Sequence, residues 1–215
     1  MGLTVNVGVL ARAVKHDPEG AALLRNSFGS INEYLTVFRL PQHHEPEQLP
    51  RLQSRAKITG YPNSYIHNRR RIYAKAITSP HWKPAPVPTG QDAAMDAVFR
   101  SSNLGISRAH LVCHSDVEGV YVPLDFNFVI SGGPNHRPPG GPIGSSMKLM
   151  QELASIAPRL GIGMNNLSLS DAEAERLNEE AAGQTDPLWI ERMVWLSLFE
   201  AARLSIEYKT AVCFQ

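Results

Sequence analysis

Cysteine is nearly absent from the 215-residue chain: only Cys113 and Cys213 occur. Two thiols supply no disulfide framework, so a hydrophobic core must hold the fold. Each sits in an apolar run and is expected to be buried. An excess of one charge is also missing, since 21 basic residues stand against 20 acidic ones for a formal net charge of +1. A chain so balanced has no field with which to hold a polyanion, and nucleic acid is not expected as a partner. No apolar run is long enough to span a bilayer. Met1 to Leu10 lacks the basic flank and long apolar stretch of a signal peptide, so no membrane partner and a cytoplasmic location are expected.

Strong catalytic signatures are missing too. Neither Gly-x-Ser-x-Gly nor His-Glu-x-x-His occurs, and the zinc deaminase pattern lacks both of its halves. The glycine-rich stretch Gly140-Gly141-Pro142-Ile143-Gly144 is not followed by Gly-Lys-Ser/Thr, and it does not meet Gly-x-Gly-x-x-Gly.

What remains is ordinary globular composition, with 43% hydrophobic and 19% charged residues, expected to form one domain over 1–215. Thr78 to Gly90 holds Pro80, Pro84, Pro86 and Pro88 and reads as an extended connector, the best candidate for a subdomain boundary. Asp17-Pro18 caps a helix whose apolar face is Leu24, Phe28, Ile31, Leu35 and Phe38, running to about Leu40. A second helix is expected from Asn63 or Ser64 to Ile77, with His67, Arg70, Arg71 and Lys75 on its outer face. Ser170-Asp171-Ala172-Glu173 is a capping box opening an acidic surface helix. Asp186-Pro187 opens the most apolar helix, to about Tyr208, and Thr210 to Phe214 reads as a closing strand.

Ala109–His114 and Gly119–Phe128 alternate as two strands around the polar turn Ser115-Asp116-Val117-Glu118-Gly119. The fold class expected is therefore α+β: a small, largely antiparallel sheet centred on a 109–130 hairpin, packed by several helices with 187–208 buried at the centre.

Two constellations on this frame could carry chemistry. If His114, Asp116 and Asp125 converge at the end of the hairpin, imidazole and carboxylates together suit a divalent metal or acid/base work. The plainer alternative is that Asp116 closes its own turn, His114 anchors it and Asp125 accepts a buried hydrogen bond. The start of the helix at Gly144, Ser145 and Ser146 offers backbone amides to an anion, with ordinary capping as the alternative. His67 and Arg71 align on the second helix as a candidate site for an anion or acidic partner, against the alternative of a solvated basic face.

The stretch His114-Ser115-Asp116-Val117-Glu118-Gly119 resembles the His-x-Asp-x-Asp-Gly metal-binding stretch of DHH-type phosphoesterases. It departs from that pattern in its glutamate, and no Asp-His-His triplet occurs. The wider segment, with Tyr121-Val122-Pro123, Asp125-Phe126 and Gly144-Ser145-Ser146, is similar to bacterial proteins of unknown function and implies no activity. Two functions follow as expectations. The first is a binding or interaction module for a protein or small anionic partner, using the 131–144 loop and the basic face of the second helix. The second is a metal-dependent hydrolase with His114, Asp116 and Asp125 holding the divalent ion; no cofactor is otherwise indicated.

Overall fold

The computed structural model describes residues 2–100, 108–132 and 137–215. Its strands are β1 (Gly2–Val7), β2 (Gly60–Pro62), β3 (Gly119–Val122), β4 (Ile143–Ser145), β5 (Met164–Asn165), β6 (Ser168–Leu169) and β7 (Val212–Phe214). The helices of the described residues are α1 (Val9–His16), α2 (Pro18–Val37), α3 (Ser64–Thr78), α4 (His110–Cys113), α5 (Ser146–Ile156), α6 (Asp171–Gly183) and α7 (Trp189–Tyr208).

Five strands form one sheet in the order β2–β1–β7–β3–β4, and β5–β6 is a separate hairpin. All pairs in the main sheet are antiparallel except β3–β4. The class is α+β, with the largely antiparallel sheet as a middle layer. Alternation along the strands divides the interior in two. Leu3, Val5, Tyr121, Val212 and Phe214 face a core shared with α3, α5, α6 and α7. Val120, Val122, Ile143 and Cys213 face a smaller core under α1 and α2. α7 is the central helix, with Trp195 and Phe199 fully buried and stacked at 4.7 Å.

Local signals place most helices. Asp17 accepts from the Gly20 amide at 3.0 Å to cap α2, and Ser145 accepts from Lys148 N at 3.2 Å to cap α5. Ser170 accepts from Glu173 N at 3.1 Å, but the reciprocal half of the capping box is not made. Glu173 accepts instead from Gly163 N at 2.8 Å, tying α6 to the β5 approach.

The hairpin centred on 109–130 is corrected. His110–Cys113 is one helical turn, because the Glu152 carboxylate on α5 accepts from the amides of His110 (2.9 Å) and Leu111 (2.7 Å) that a strand partner would have used. β3 pairs with β7 and β4 rather than with residues 109–114. It ends at Val122 because Pro123 has no N–H and Leu124 N bonds back to Val122 O at 2.8 Å, a γ-turn. Phe128 is accordingly exposed, and only Ile130 returns to the sheet as a bridge to Ile143. Cys113 is exposed at the end of its short turn, whereas Cys213 is buried as expected.

The proline-rich connector is pinned along its length. Trp82 lies beneath Arg71 and Lys75, both 5.4 Å from its ring, and Arg159 holds the carbonyls of Pro80 (2.9 Å) and Trp82 (3.1 Å). No described helix is long and apolar enough to cross a membrane.

Candidate functional site

His114 is the best-buried of the three expected metal ligands, at 2% exposure. Its ring stacks on Tyr121 and meets Phe214 edge-on. Nε2 and Nδ1 lie 3.0 and 3.1 Å from the carbonyl oxygens of Val120 and Ser115. Burial pushes its pKa down to about 4 against the pull of those carbonyls, so the ring is neutral at pH 7. The neutral ring has one N–H and donates to one of the two carbonyls, its other nitrogen facing the second, and neither nitrogen points to a carboxylate.

Asp116 and Asp125 do not join it. Asp116 pairs with His67 at 2.8 Å, and Asp125 lies on the surface beside Lys148 at 3.1 Å. Among the described residues no three His, Cys, Asp or Glu side chains are grouped to hold a metal ion. The structure therefore brings together two residues assigned to different sites, His67 and Asp116, and disperses the three assigned to one.

The candidate anion site is likewise turned inward. Ser145 N donates to His110 Nδ1 at 2.9 Å, Ser145 Oγ donates to Leu124 O at 2.5 Å, and Ser146 Oγ meets Ser205 Oγ at 2.7 Å. A Cβ on Gly144 would stand 2.5 Å from the Tyr121 ring, and one on Gly119 would stand 2.7 Å from His114. These glycines make room for the His114–Tyr121 stack, not for a phosphate. The rest of the loop includes 133–136, which lie outside the described residues.

The basic outer face expected on α3 is corrected too. Arg69, Arg70 and Arg71 are all buried. Arg70 donates to the carbonyls of Leu111 (3.0 Å) and His114, and Arg71 donates to Ala85 O. Arg69 Nε and Nη1 have no hydrogen-bond partner, and burial lowers its pKa to about 10. Glu152, buried nearby, has its pKa raised to about 7 by burial, against the two amides it accepts from. Arg70 and Arg71 staple α3 to the residues at Ala85 and Leu111–His114, and of the expected basic face His67 and Lys75 stay partly open to solvent.

A run of exposed carboxylates lies elsewhere, on α6. At 100° per residue its sequence divides into three stripes. Ala174, Leu177, Asn178 and Ala181 are buried against the core. Glu173, Arg176 and Glu180 form an ion-paired stripe that continues through Arg192 to Asp186. The third stripe is Asp171, Glu175 and Glu179, at i, i+4 and i+8, all exposed. Asp171 is 94% exposed and touches Arg55 at 3.2 Å; Glu175 meets the exposed Lys57 at 2.5 Å. Glu179 has no ion-pair partner among the described residues. The three carboxylates rise about 6 Å per step along the helix axis.

A family model described as "Putative DNA-mimic protein" matches residues 1–214. The chain belongs to this DNA-mimic family. No curated protein and no solved structure matches it.

Membership corrects the expectation that nucleic acid has no place among this protein's partners. In a DNA mimic nucleic acid enters as the thing imitated and not as the thing bound, so a balanced net charge does not argue against it. The net charge of +1 misleads because it averages two regions: Gly161 to Gln215 holds nine carboxylates against four cations, and the preceding residues hold eleven against seventeen. Within the acidic region Asp171, Glu175 and Glu179 recur at i, i+4 and i+8, a spacing that an overall charge balance erases.

Proposed function

We propose that the chain is a cytoplasmic protein-binding module whose α6 face offers a nucleic-acid-binding protein the charge pattern of a DNA backbone. The observation that carries this reading is the family match over 1–214; the carboxylate ladder is the feature of this chain that suits it. One DNA strand carries a charge about every 3.4 Å along its axis, so a ladder with steps of about 6 Å has roughly half that linear density. Its anions are nonetheless easily recruited. The Lys57–Glu175 pair is exposed on both sides, and such pairs contribute only about 0–1 kcal/mol, so a partner's cation can replace Lys57 at little cost.

Displacement from DNA tests this directly. Lysate proteins held on a duplex-DNA column are challenged with the purified chain, then with a variant carrying Asp171→Asn, Glu175→Gln and Glu179→Gln. Specific proteins should elute with the first and stay bound with the second, and less so as salt is raised. A wild-type chain that displaces nothing, or a neutralised variant that displaces equally well, would overturn the proposal.

A further inference from the structure

A groove of about 800 Å³ runs between α1 and residues 47–52. Val14, Leu49 and Leu52 give it an apolar lining, and Arg12, Lys15 and Arg51 surround it. Among the described residues none of these three cations has an ion-pair partner; Arg12 donates only to Asn6 Oδ1, at 3.3 Å. The nearby acids are occupied. Glu47 is held by Arg25 at 2.6 and 3.0 Å, and Asp17 caps α2.

Arg51 also lines the neighbouring cleft of about 700 Å³, which extends to Asp171 and Leu167. Leu167 is 48% exposed at the tip of the β5–β6 turn, where Asn166 takes a left-handed φ of 54°. One continuous face thus carries an apolar hollow ringed by unpaired cations and an apolar knob beside the start of the carboxylate ladder.

We infer that this face docks a second copy of the chain about a two-fold axis near Arg51. Leu167 of each copy enters the other's groove, and Glu175 and Glu179 meet Arg12 and Lys15 of the second copy. A two-fold contact requires one patch that is complementary to itself, with each feature opposed by its counterpart. Knob and hollow, acid and base meet that requirement here, and the opposed charges set the register. The contact covers the ladder, so a second copy and a basic partner compete for it.

Sedimentation velocity of the full chain across the micromolar range, at low and high salt, tests this. A dimer is expected at low salt and should dissociate as salt rises. Leu167→Asp should weaken it at least about tenfold. Arg12→Glu with Lys15→Glu, and Glu175→Lys with Glu179→Lys, should each abolish it, and mixing those two variants should restore a heterodimer. Far-UV circular dichroism confirms that each variant is folded. A wild type that stays monomeric at low salt overturns the inference, as does a dimer that ignores Leu167→Asp or a charge-swapped pair that fails to associate. The inference does not need DNA mimicry: a monomer that still displaces proteins from DNA would sink the dimer alone, and a dimer that displaces nothing would sink the functional proposal alone.

Discussion

His114 lies flat against Tyr121, ring centroids 4.0 Å apart and planes inclined by 15°. The Tyr121 hydroxyl donates to His110 O at 3.0 Å, so the stack joins α4 to β3 through both residues. The motif that most resembles a metal site in one dimension is in three dimensions a packing joint.

Removing that joint should cost stability. His114→Ala leaves a cavity between Tyr121 and Phe214 and takes a partner from a buried carbonyl, a loss of about 2–4 kcal/mol. Gly144→Ala forces a Cβ into the Tyr121 ring and should cost about 1–3 kcal/mol. Urea titration of both variants measures this; losses under about 0.5 kcal/mol would contradict the packing role.

Stability should depend on pH through two opposed effects. The folded-state pKa values of His110 and His114 are lowered to about 4 from 6.5, chiefly by burial. Their contribution is fully present above pH 6.5 and is lost as pH falls through 4, at up to about 3 kcal/mol each. Glu152 is raised from 4.5 to about 7. Its contribution is present below pH 4.5 and is lost as pH rises through 7. Glu152→Gln should therefore gain on the wild type between pH 5 and 8, as read from urea midpoints, even where it loses a hydrogen bond overall. A constant difference across that range would refute the shift.

Two buried charges should respond with opposite signs. Glu200 is fully buried and is held by Arg55 at 2.6 Å and Arg203 at 2.9 Å, whose hydrogen bonds lower its pKa in spite of burial. Glu200→Ala strands both guanidiniums, which are partly hydrated, and should cost about 2–4 kcal/mol. Among the described residues Arg69 has no carboxylate partner, and Arg69→Met should leave stability unchanged or raise it by about 1–3 kcal/mol. Thermal and urea unfolding compare the two; equal losses would show that Arg69 is paired in solution.

Neutralising the ladder should separate binding from folding. Asp171→Asn, Glu175→Gln and Glu179→Gln together should change unfolding free energy by less than about 1 kcal/mol, because their pairs are exposed. The same variant is expected to lose displacement from DNA. A loss of several kcal/mol would make the ladder structural.

Much of the helical framework was legible. The cap at Asp17 and the period of Phe28, Ile31 and Leu35 place α2, and the nearly all-round apolar circumference from Trp189 to Leu204 marks α7 as central. The ends were less so: Phe38 continues the apolar period, yet α2 stops at Val37 and leaves Phe38 largely exposed. The surface position of α6 was readable from its composition. Its functional candidacy was not, because Arg69, Arg70 and Arg71 count as surface cations in a charge total although all three are buried.

The sequence by itself determined the elements whose information is local: a helix cap and a 3.6-residue apolar period. Tertiary structure alone decided the hairpin and the site. The amides of His110 and Leu111 could have gone to a strand, and it is Glu152, far along the chain, that takes them. Likewise β3 found its partners at residues 143–145 and 212–214, and Asp116 found His67. Buried polar groups must be satisfied by whatever the fold brings near them, and residue spacing along the chain does not carry that information.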